Sequence, residues 1–321
     1  MLLVILTKSI QGFNIFSISG ILDIIKRYAR YWLGKYRGPQ AVTSSLISGL
    51  KELKVDFKLN PKTKEIDSNA IIYINESAEA LRYAIGLKKQ GKINKIVAGP
   101  VISILPETEG GIMLDPNIDL FLVPSDWTKD FWLSCAPQLV NKIVVWAAGI
   151  ENVYGNKKKR DLVLVYYKNG PKAQLNYIVN FLKSKSIKCK VVYYGHYKKK
   201  DYYAMLDDSY CMIYLSESES QGLSLCESWM HDVPTLVWNR GFWKYCGHQW
   251  FNDKISAPYL TNECGMFFSG LEDFGIKWQK FNIKINTYKS RDYALKNFTN
   301  KLSAKKFIDL IKICFPNISS V

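Results

Sequence analysis

Residues 211–227 read CMIYLSESESQGLSLCE, an apolar run followed by a polar loop and a second apolar segment. The run Cys211–Leu215 is typical of a buried strand, and a helix is predicted to begin near Leu223. Between them, Gly222 allows the backbone to approach a ligand closely, and the positive end of the following helix favours an anion. The stretch therefore predicts a strand, an anion-binding loop and a helix, the arrangement of a phosphate site in an α/β fold.

Two glutamates, Glu219 and Glu227, stand in this stretch with seven residues between them. An ionised carboxylate only accepts hydrogen bonds, so it suits sugar hydroxyls. Glu227 falls about one turn into the predicted helix, where it can accept from a ribose. Taken alone, Glu219 is better explained as a solvated residue in a Ser-Glu loop. Its register with Gly222, Glu227 and Pro234 favours a role in the same site.

Short β-branched runs alternate with helical stretches along the whole chain, which predicts parallel sheets covered by helices. A break at residues 149–160 contains Gly155, Asn156 and a run of cations, and it is typical of a linker. We therefore predict an α/β fold with two Rossmann-like, doubly wound domains. Their expected bounds are residues 1–155 and 156–290, followed by a C-terminal helix within 291–321 that returns toward the first domain.

The composition excludes a disordered chain, because 48% of the 321 residues are hydrophobic. The net charge of +16 favours an anionic partner, and a lysine-rich composition bias is an equally good explanation. The basic residues are scattered and no nucleic-acid-binding motif is present, so nucleic acid is not an expected partner.

Seven cysteines occur without a CxxC pair, which predicts reduced thiols in a cytoplasmic compartment. Neither a secretory leader nor a membrane-spanning run is recognisable. The segment 21–37 predicts a basic amphipathic helix. Packing on a sheet is its favoured interpretation, and peripheral contact with an anionic inner-membrane surface is the alternative.

The stretch resembles the donor site of the large retaining GT-B glycosyltransferase family that uses nucleotide-diphosphate sugars. The family signature is a strand and Ser, a Glu-rich loop with Gly, a second Glu after seven residues, and then small-x-Pro. Its counterparts here are Ser216, Glu219, Gly222 with Leu223, Glu227 and DVPT at 232–235. Looser matches are VPSDW at 123–127, WAAGIE at 146–151 and RGP at 37–39.

The resemblance implies a role for each matched residue. Glu219 contacts the donor sugar, Glu227 contacts the ribose, and the backbone at Gly222 and Leu223 holds the diphosphate. Lys168 and Lys172 are the implied cations that offset charge on the leaving diphosphate. The remaining candidates are Ser216 in the donor loop, Gly195 beside the nucleotide base and Gly38 in an acceptor or phosphate loop.

The resemblance further implies an active site in the cleft between the domains, retention of anomeric configuration, no metal and no tightly bound cofactor. The donor is then a nucleotide-diphosphate sugar, and the acceptor is a glycan or glycolipid. The chain departs from the family at Lys168 and Lys172, which stand four residues apart where the family has Arg and then Lys five residues on. Ser220 and Gln221 also replace the family's usual Gly and aromatic residue.

Two other functions fit the same fold. A GT-B-like sugar-nucleotide epimerase needs acid and base groups in the cleft, and the sequence shows no clear set of them. A non-catalytic protein that binds sugar nucleotides or glycans needs only the binding half of the motif.

Overall fold

The computed structural model describes residues 2–7, 38–153 and 160–316. The described residues form two compact units, of which the first comprises 2–7, 38–149 and 300–316, and the second 150–153 and 160–299. The amphipathic helix predicted over 21–37 lies outside the described residues, as do 154–159 of the predicted linker. The sequence places the domain boundary at 155, whereas the units divide between Gly149 and Ile150.

Thirteen strands form in the described residues, most of them short apolar runs. They are β1 Leu3–Leu6, β2 Phe57–Leu59, β3 Ile71–Ile74, β4 Lys95–Ala98, β5 Leu120–Val123, β6 Ile143–Val145, β7 Leu162–Tyr167, β8 Cys189–Tyr193, β9 Ser209–Leu215, β10 Thr235–Trp238, β11 Phe242–Tyr245, β12 His248–Phe251 and β13 Gly265–Phe268.

Nine helices of eight or more residues form in the same described ranges. They are α1 Gly38–Glu52, α2 Ala78–Lys89, α3 Asp126–Cys135, α4 Lys172–Ser184, α5 Lys199–Asp208, α6 Leu223–Met230, α7 Leu271–Ile283, α8 Ser290–Asn297 and α9 Asn300–Cys314. None of these helices is long and apolar enough to cross a membrane.

Each unit contains one parallel sheet, and both sheets confirm the predicted α/β class. The first has six strands in the order β2-β1-β3-β4-β5-β6, and the second has five in the order β13-β10-β9-β7-β8. Parallel strands are buried on both faces, and β3 and β9 accordingly consist almost entirely of buried residues. An antiparallel hairpin, β11–β12, stands apart from the second sheet.

The C-terminal region differs from the single helix predicted over residues 291–314. It divides into α8 and α9, because the Phe298 carbonyl accepts a hydrogen bond from the Ile150 amide and Thr299 forms a β-bridge with Ile150. Residues 291–299 belong to the second unit, and α9 belongs to the first. The apolar periodicity by itself predicts one continuous helix, although Thr299 is a residue type that often precedes a helix.

Helix α9 is built into the first unit by close contacts. The Trp146 indole donates to the Ser303 carbonyl at 3.0 Å, and the Trp146 ring meets Phe307 edge-on. Gly49 of α1 leaves no room for a side chain, since a Cβ there would lie 2.1 Å from the Asn300 carbonyl oxygen and 2.6 Å from the Ala304 Cβ. The first unit therefore needs α9 for its own core.

We expect Gly49→Ala to lower the free energy of unfolding by about 2–3 kcal/mol, because the added methyl must displace α9 backbone. The measurement is urea unfolding followed by circular dichroism. The matched control is Gly86→Ala in α2, where a Cβ meets nothing within 4 Å. Since alanine favours a helix interior over glycine by about 0.5–1 kcal/mol, that variant should be as stable as wild type or more so. Equal effects of the two substitutions would contradict this account of α9.

Candidate functional site

The polar loop 216–222 follows β9, the central strand of the second sheet. Tyr167 at the end of β7 pairs with Leu215 of β9 and with Tyr193 of β8. The loops that follow these three parallel strands therefore begin side by side at the carboxyl edge of the sheet, where open α/β sheets bind ligands. This register brings Lys168, Ser216 and the turn at Gly195 to one edge.

Glu219 is buried and tightly held. Its two carboxylate oxygens each accept from the Lys168 ammonium at 2.9 Å, and Oε1 also accepts from the Tyr214 hydroxyl at 2.7 Å. Lys168 in turn lies over the Tyr194 ring, with Nζ 5.3 Å from its centroid. The structure thus joins Lys168 and Glu219, two of the candidate residues, into one charged pair.

Asn169 ties the neighbouring loop to the same place. Its side-chain oxygen accepts from the Glu217 amide at 2.8 Å and lies 3.4 Å from the Ser216 hydroxyl oxygen. Ser216 also donates to the Ser218 carbonyl at 2.9 Å, and it is fully buried. Ser216 therefore shapes the loop from inside and does not face outward.

Glu227, like Glu219, is contacted by a tyrosine hydroxyl and a lysine ammonium. The Tyr203 hydroxyl donates to its Oε1 at 3.2 Å, and the Lys199 ammonium lies 3.8 Å from the same oxygen. Lys199 also lies 3.4 Å from Glu151 and over the Tyr203 ring. Burial raises the pKa of Glu227 to about 7, against the lowering effects of Lys199 and of the Tyr203 hydrogen bond.

This raised pKa makes the stability of the protein depend on pH. The folded state holds the proton of Glu227 up to about pH 7, whereas an ordinary glutamate releases it near 4.5. Between these values the folded state binds more protons, so stability falls as pH rises, in total by about 3 kcal/mol. Glutamine keeps an acceptor for Tyr203 and has no proton to lose. We therefore compare the free energy of unfolding of Glu227→Gln with that of wild type. The difference should shift in favour of the variant by about 2 kcal/mol between pH 5 and pH 8.

The measurement for Glu227→Gln is urea unfolding at the two pH values. The control is Glu263→Gln, which alters an exposed carboxylate of the same unit and should leave the pH dependence of wild type unchanged. If the stability of Glu227→Gln depends on pH in the same way as that of wild type, burial of this carboxylate is not the cause of the pH dependence.

Gly222 forms the cap of α6 in a left-handed conformation, with φ 83° and ψ 57°. It provides no side-chain cap, and the first turn of α6 carries no acidic residue. The first amides of a helix lack intrahelical partners, and here the Gly222 carbonyl already accepts from the amides of Leu225 and Cys226. The amides at the very start of α6, those of Leu223 and Ser224, are therefore the ones that can face an anion. A Cβ on Gly222 would lie 3.0 Å from Leu225 Cδ1 and 3.6 Å from Glu219 Cβ.

The remaining candidates are less closely joined to the glutamates. Lys172 is the exposed first residue of α4, and among the described residues it forms no ion pair. Gly195 lies in a turn after β8 with φ 77° and open space around it. Gly38 begins α1 of the first unit, where the next residue, Pro39, accepts from the Asn75 amide at 2.8 Å.

Three side chains that contact the two glutamates were not predicted from the sequence: Tyr214, Tyr203 and Lys199. Each glutamate receives one lysine ammonium and one tyrosine hydroxyl. A signal existed for Lys199, which lies in a run of three lysines directly after the predicted turn at Gly195. No comparable signal marks Tyr203, because its position on α5 follows from the packing of that helix.

No protein-family model matches this chain, and no curated protein matches its sequence. Solved structures do match. In the apo form of the lipopolysaccharide outer core galactosyltransferase WaaB, the match covers 97% of this chain and 99% of that one, with 11% identity and a TM-score of 0.57. For the sucrose-phosphate synthase of Thermosynechococcus elongatus, the coverage is 77% and 74%, with 11% identity and a TM-score of 0.51.

A third match is a mutant of S. aureus TarM in complex with fondaparinux, α-GlcNAc-glycerol and UDP. It covers 83% of this chain and 58% of that one, with 12% identity and a TM-score of 0.50. Identities this low establish architecture and leave activity open. The chain therefore has the GT-B fold, with one parallel Rossmann-like sheet in each unit.

Proposed function

We propose that this protein transfers a sugar from a nucleotide-diphosphate sugar to a glycan or glycolipid acceptor, with retention of anomeric configuration. One observation carries the proposal. Helix α6 begins after the loop at the carboxyl edge of the second sheet, and its N-terminus has no side-chain cap. Glu219 precedes this N-terminus in the sequence, and Glu227 follows it. That arrangement offers an anion site between two sets of sugar-hydroxyl acceptors.

Each group has a separate task in this proposal. Glu227 accepts from the ribose hydroxyls, and the α6 amides at Gly222 and Leu223 bind the diphosphate. Glu219 accepts from hydroxyls of the transferred sugar and holds it in place for attack.

Charge on the leaving diphosphate grows as the glycosidic bond breaks, and fixed positive charge lowers the barrier to that step. An ammonium has three N–H donors, so Lys168 can hold Glu219 and face the diphosphate at once. Lys172 adds a second cation at the start of α4. Together with the α6 N-terminus these lysines supply the positive charge, and the proposal includes no metal.

Calorimetry with UDP, GDP, ADP and dTDP, followed by their glucose and galactose conjugates, tests this function. UDP and UDP-galactose come first, since WaaB is a galactosyltransferase and TarM was solved with UDP. We expect one nucleoside diphosphate to bind, and its sugar conjugate to be hydrolysed slowly or transferred to added glycan.

The other outcomes separate the alternatives. Binding without turnover would favour a sugar-nucleotide-binding protein, and conversion of the donor into its epimer without an acceptor would favour an epimerase. A wild-type protein that binds none of the four diphosphates would overturn the proposed site itself.

A further inference from the structure

The Tyr214 hydroxyl lies inside the candidate donor site. Tyr214 is the penultimate residue of β9 and is fully buried. Its hydroxyl lies 2.7 Å from Glu219 Oε1 and 3.0 Å from the Ser224 hydroxyl in the first turn of α6. It therefore connects the acid proposed for the sugar with the helix end proposed for the diphosphate.

The direction of these hydrogen bonds is fixed by chemistry. Burial, reinforced by the nearby Glu219 charge, raises the pKa of Tyr214 well above its ordinary value, so the phenol keeps its proton. An ionised carboxylate can only accept, which places that proton on the bond to Glu219. The Ser224 hydroxyl must then donate to Tyr214. Two hydrogen bonds in series thus connect Ser224 to Tyr214 and Tyr214 to Glu219.

The Tyr214 ring cannot easily move. It stacks on the Tyr166 ring with centroids 4.8 Å apart and an angle of 12° between the planes. A stacked, buried ring on a central strand holds its hydroxyl at one point. Lys168, in contrast, reaches Glu219 through four flexible methylenes and contacts both oxygens equally. Tyr214 thus contacts Oε1 and not Oε2, and it limits rotation of the carboxylate.

We propose that Tyr214 is a positioning residue that fixes the orientation of Glu219 and thereby determines which hydroxyl arrangement on the donor sugar the site accepts. This inference rests on the proposed function. Epimeric hexoses differ in the direction of one hydroxyl, so an acceptor can discriminate between them only if its own lone pairs point in a fixed direction. A carboxylate free to rotate would bind both epimers nearly alike.

The test compares Tyr214→Phe with Tyr166→Phe, which removes one hydroxyl from the neighbouring stacked ring. The Tyr166 hydroxyl pairs with Tyr197 at 2.8 Å, so its loss removes a different hydrogen bond of the same cluster. Affinities are measured by calorimetry for the nucleoside diphosphate that binds among UDP, GDP, ADP and dTDP, and for its glucose and galactose conjugates. The ratio of kcat/KM for the two conjugates is measured on the same proteins.

In Tyr214→Phe we expect the preferred sugar conjugate to bind about tenfold more weakly and the preference between epimers to fall by a similar factor. The diphosphate alone should bind as in wild type, because it lacks the sugar. Tyr166→Phe should change neither the affinity for the preferred sugar conjugate nor the preference between epimers. In a Glu219→Ala background, Tyr214→Phe should have no further effect, since the group it orients is absent.

A merely structural role predicts something different, namely equal weakening of the diphosphate and of its sugar conjugates. That result, or an unchanged preference between epimers, overturns the inference. The proposed site is still supported in that case if wild type binds the diphosphate. Should Tyr214→Phe fail to fold, Ser224→Ala is the second variant. It removes the hydroxyl that donates to Tyr214 and must shift the epimer preference in the same direction. If wild type binds none of the diphosphates, the proposed function fails and this inference fails with it.

Discussion

We expect Glu219→Gln to lower the rate of sugar transfer by about a hundredfold or more, with the affinity for the nucleoside diphosphate alone close to that of wild type. Glutamine preserves the shape of the side chain and removes its charge. It also turns one acceptor into an N–H donor. In wild type both oxygens lie 2.9 Å from the Lys168 ammonium, so the amide would bring a donor against a donor. The contact to the sugar and the ion pair with Lys168 are then lost, while the α6 amides proposed to bind the diphosphate are unchanged.

The matched control for Glu219→Gln is Glu217→Gln. Glu217 lies in the same loop and pairs with Arg240 at 3.2 Å, with about a third of its side chain exposed. The chemical change is identical and the neighbouring backbone is shared, so general disturbance of the loop would appear in both proteins. The measurement is kcat for transfer or donor hydrolysis, together with calorimetry of the diphosphate. Equal rates for the two variants would remove Glu219 from the reaction.

The central part of the fold could be predicted because local signals agreed there. The run Cys211–Leu215 is apolar and β-branched enough to specify a strand, and Gly222 followed by an apolar helical segment marks the next element. The structure has β9 at Ser209–Leu215 and α6 at Leu223–Met230, close to those expectations. The same agreement of run length and spacing identified both parallel sheets.

Elements that depend on contacts distant in sequence could not be predicted in the same way. The break between α8 and α9 coincides with the contacts of Phe298 and Thr299 with Ile150, about 150 residues earlier in the sequence. The hairpin β11–β12 was also missed. Its aromatic residues form cross-strand pairs such as Phe242 with Phe251.

The candidate site shows the same division. Glu219, Gly222 and Glu227 share one short stretch, so their spacing was enough to single them out. The partners of the two glutamates come from β7, α5 and β9, and a parallel strand buried on both faces gives no alternation from which the direction of Tyr214 could be read. The side chains that set the geometry and the pKa of the glutamates were therefore visible only once the fold was known.

We expect Gly222→Ala to weaken binding of the nucleoside diphosphate by about a hundredfold, the second large effect at this site. Gly222 has a φ of 83°, and an L-residue in this region costs about 1–2 kcal/mol. An added Cβ would also lie 3.0 Å from Leu225 Cδ1 and 3.6 Å from Glu219 Cβ, so either the loop or the first turn of α6 must move. Loss of two charge-assisted hydrogen bonds from the helix amides corresponds to about 3 kcal/mol, or a hundredfold in affinity.

Gly247→Ala separates strain from binding in this experiment. Gly247 has the same φ of 83° in the turn between β11 and β12, and a Cβ there would meet nothing within 4 Å. Both variants should lose stability in urea unfolding, because both place alanine in the left-handed region, and Gly222→Ala should lose more because its Cβ also crowds Leu225. Only Gly222→Ala should lose affinity for the diphosphate in calorimetry, since only there does the added carbon press on the helix end. Wild-type affinity in Gly222→Ala would mean that the phosphate groups bind elsewhere on this unit.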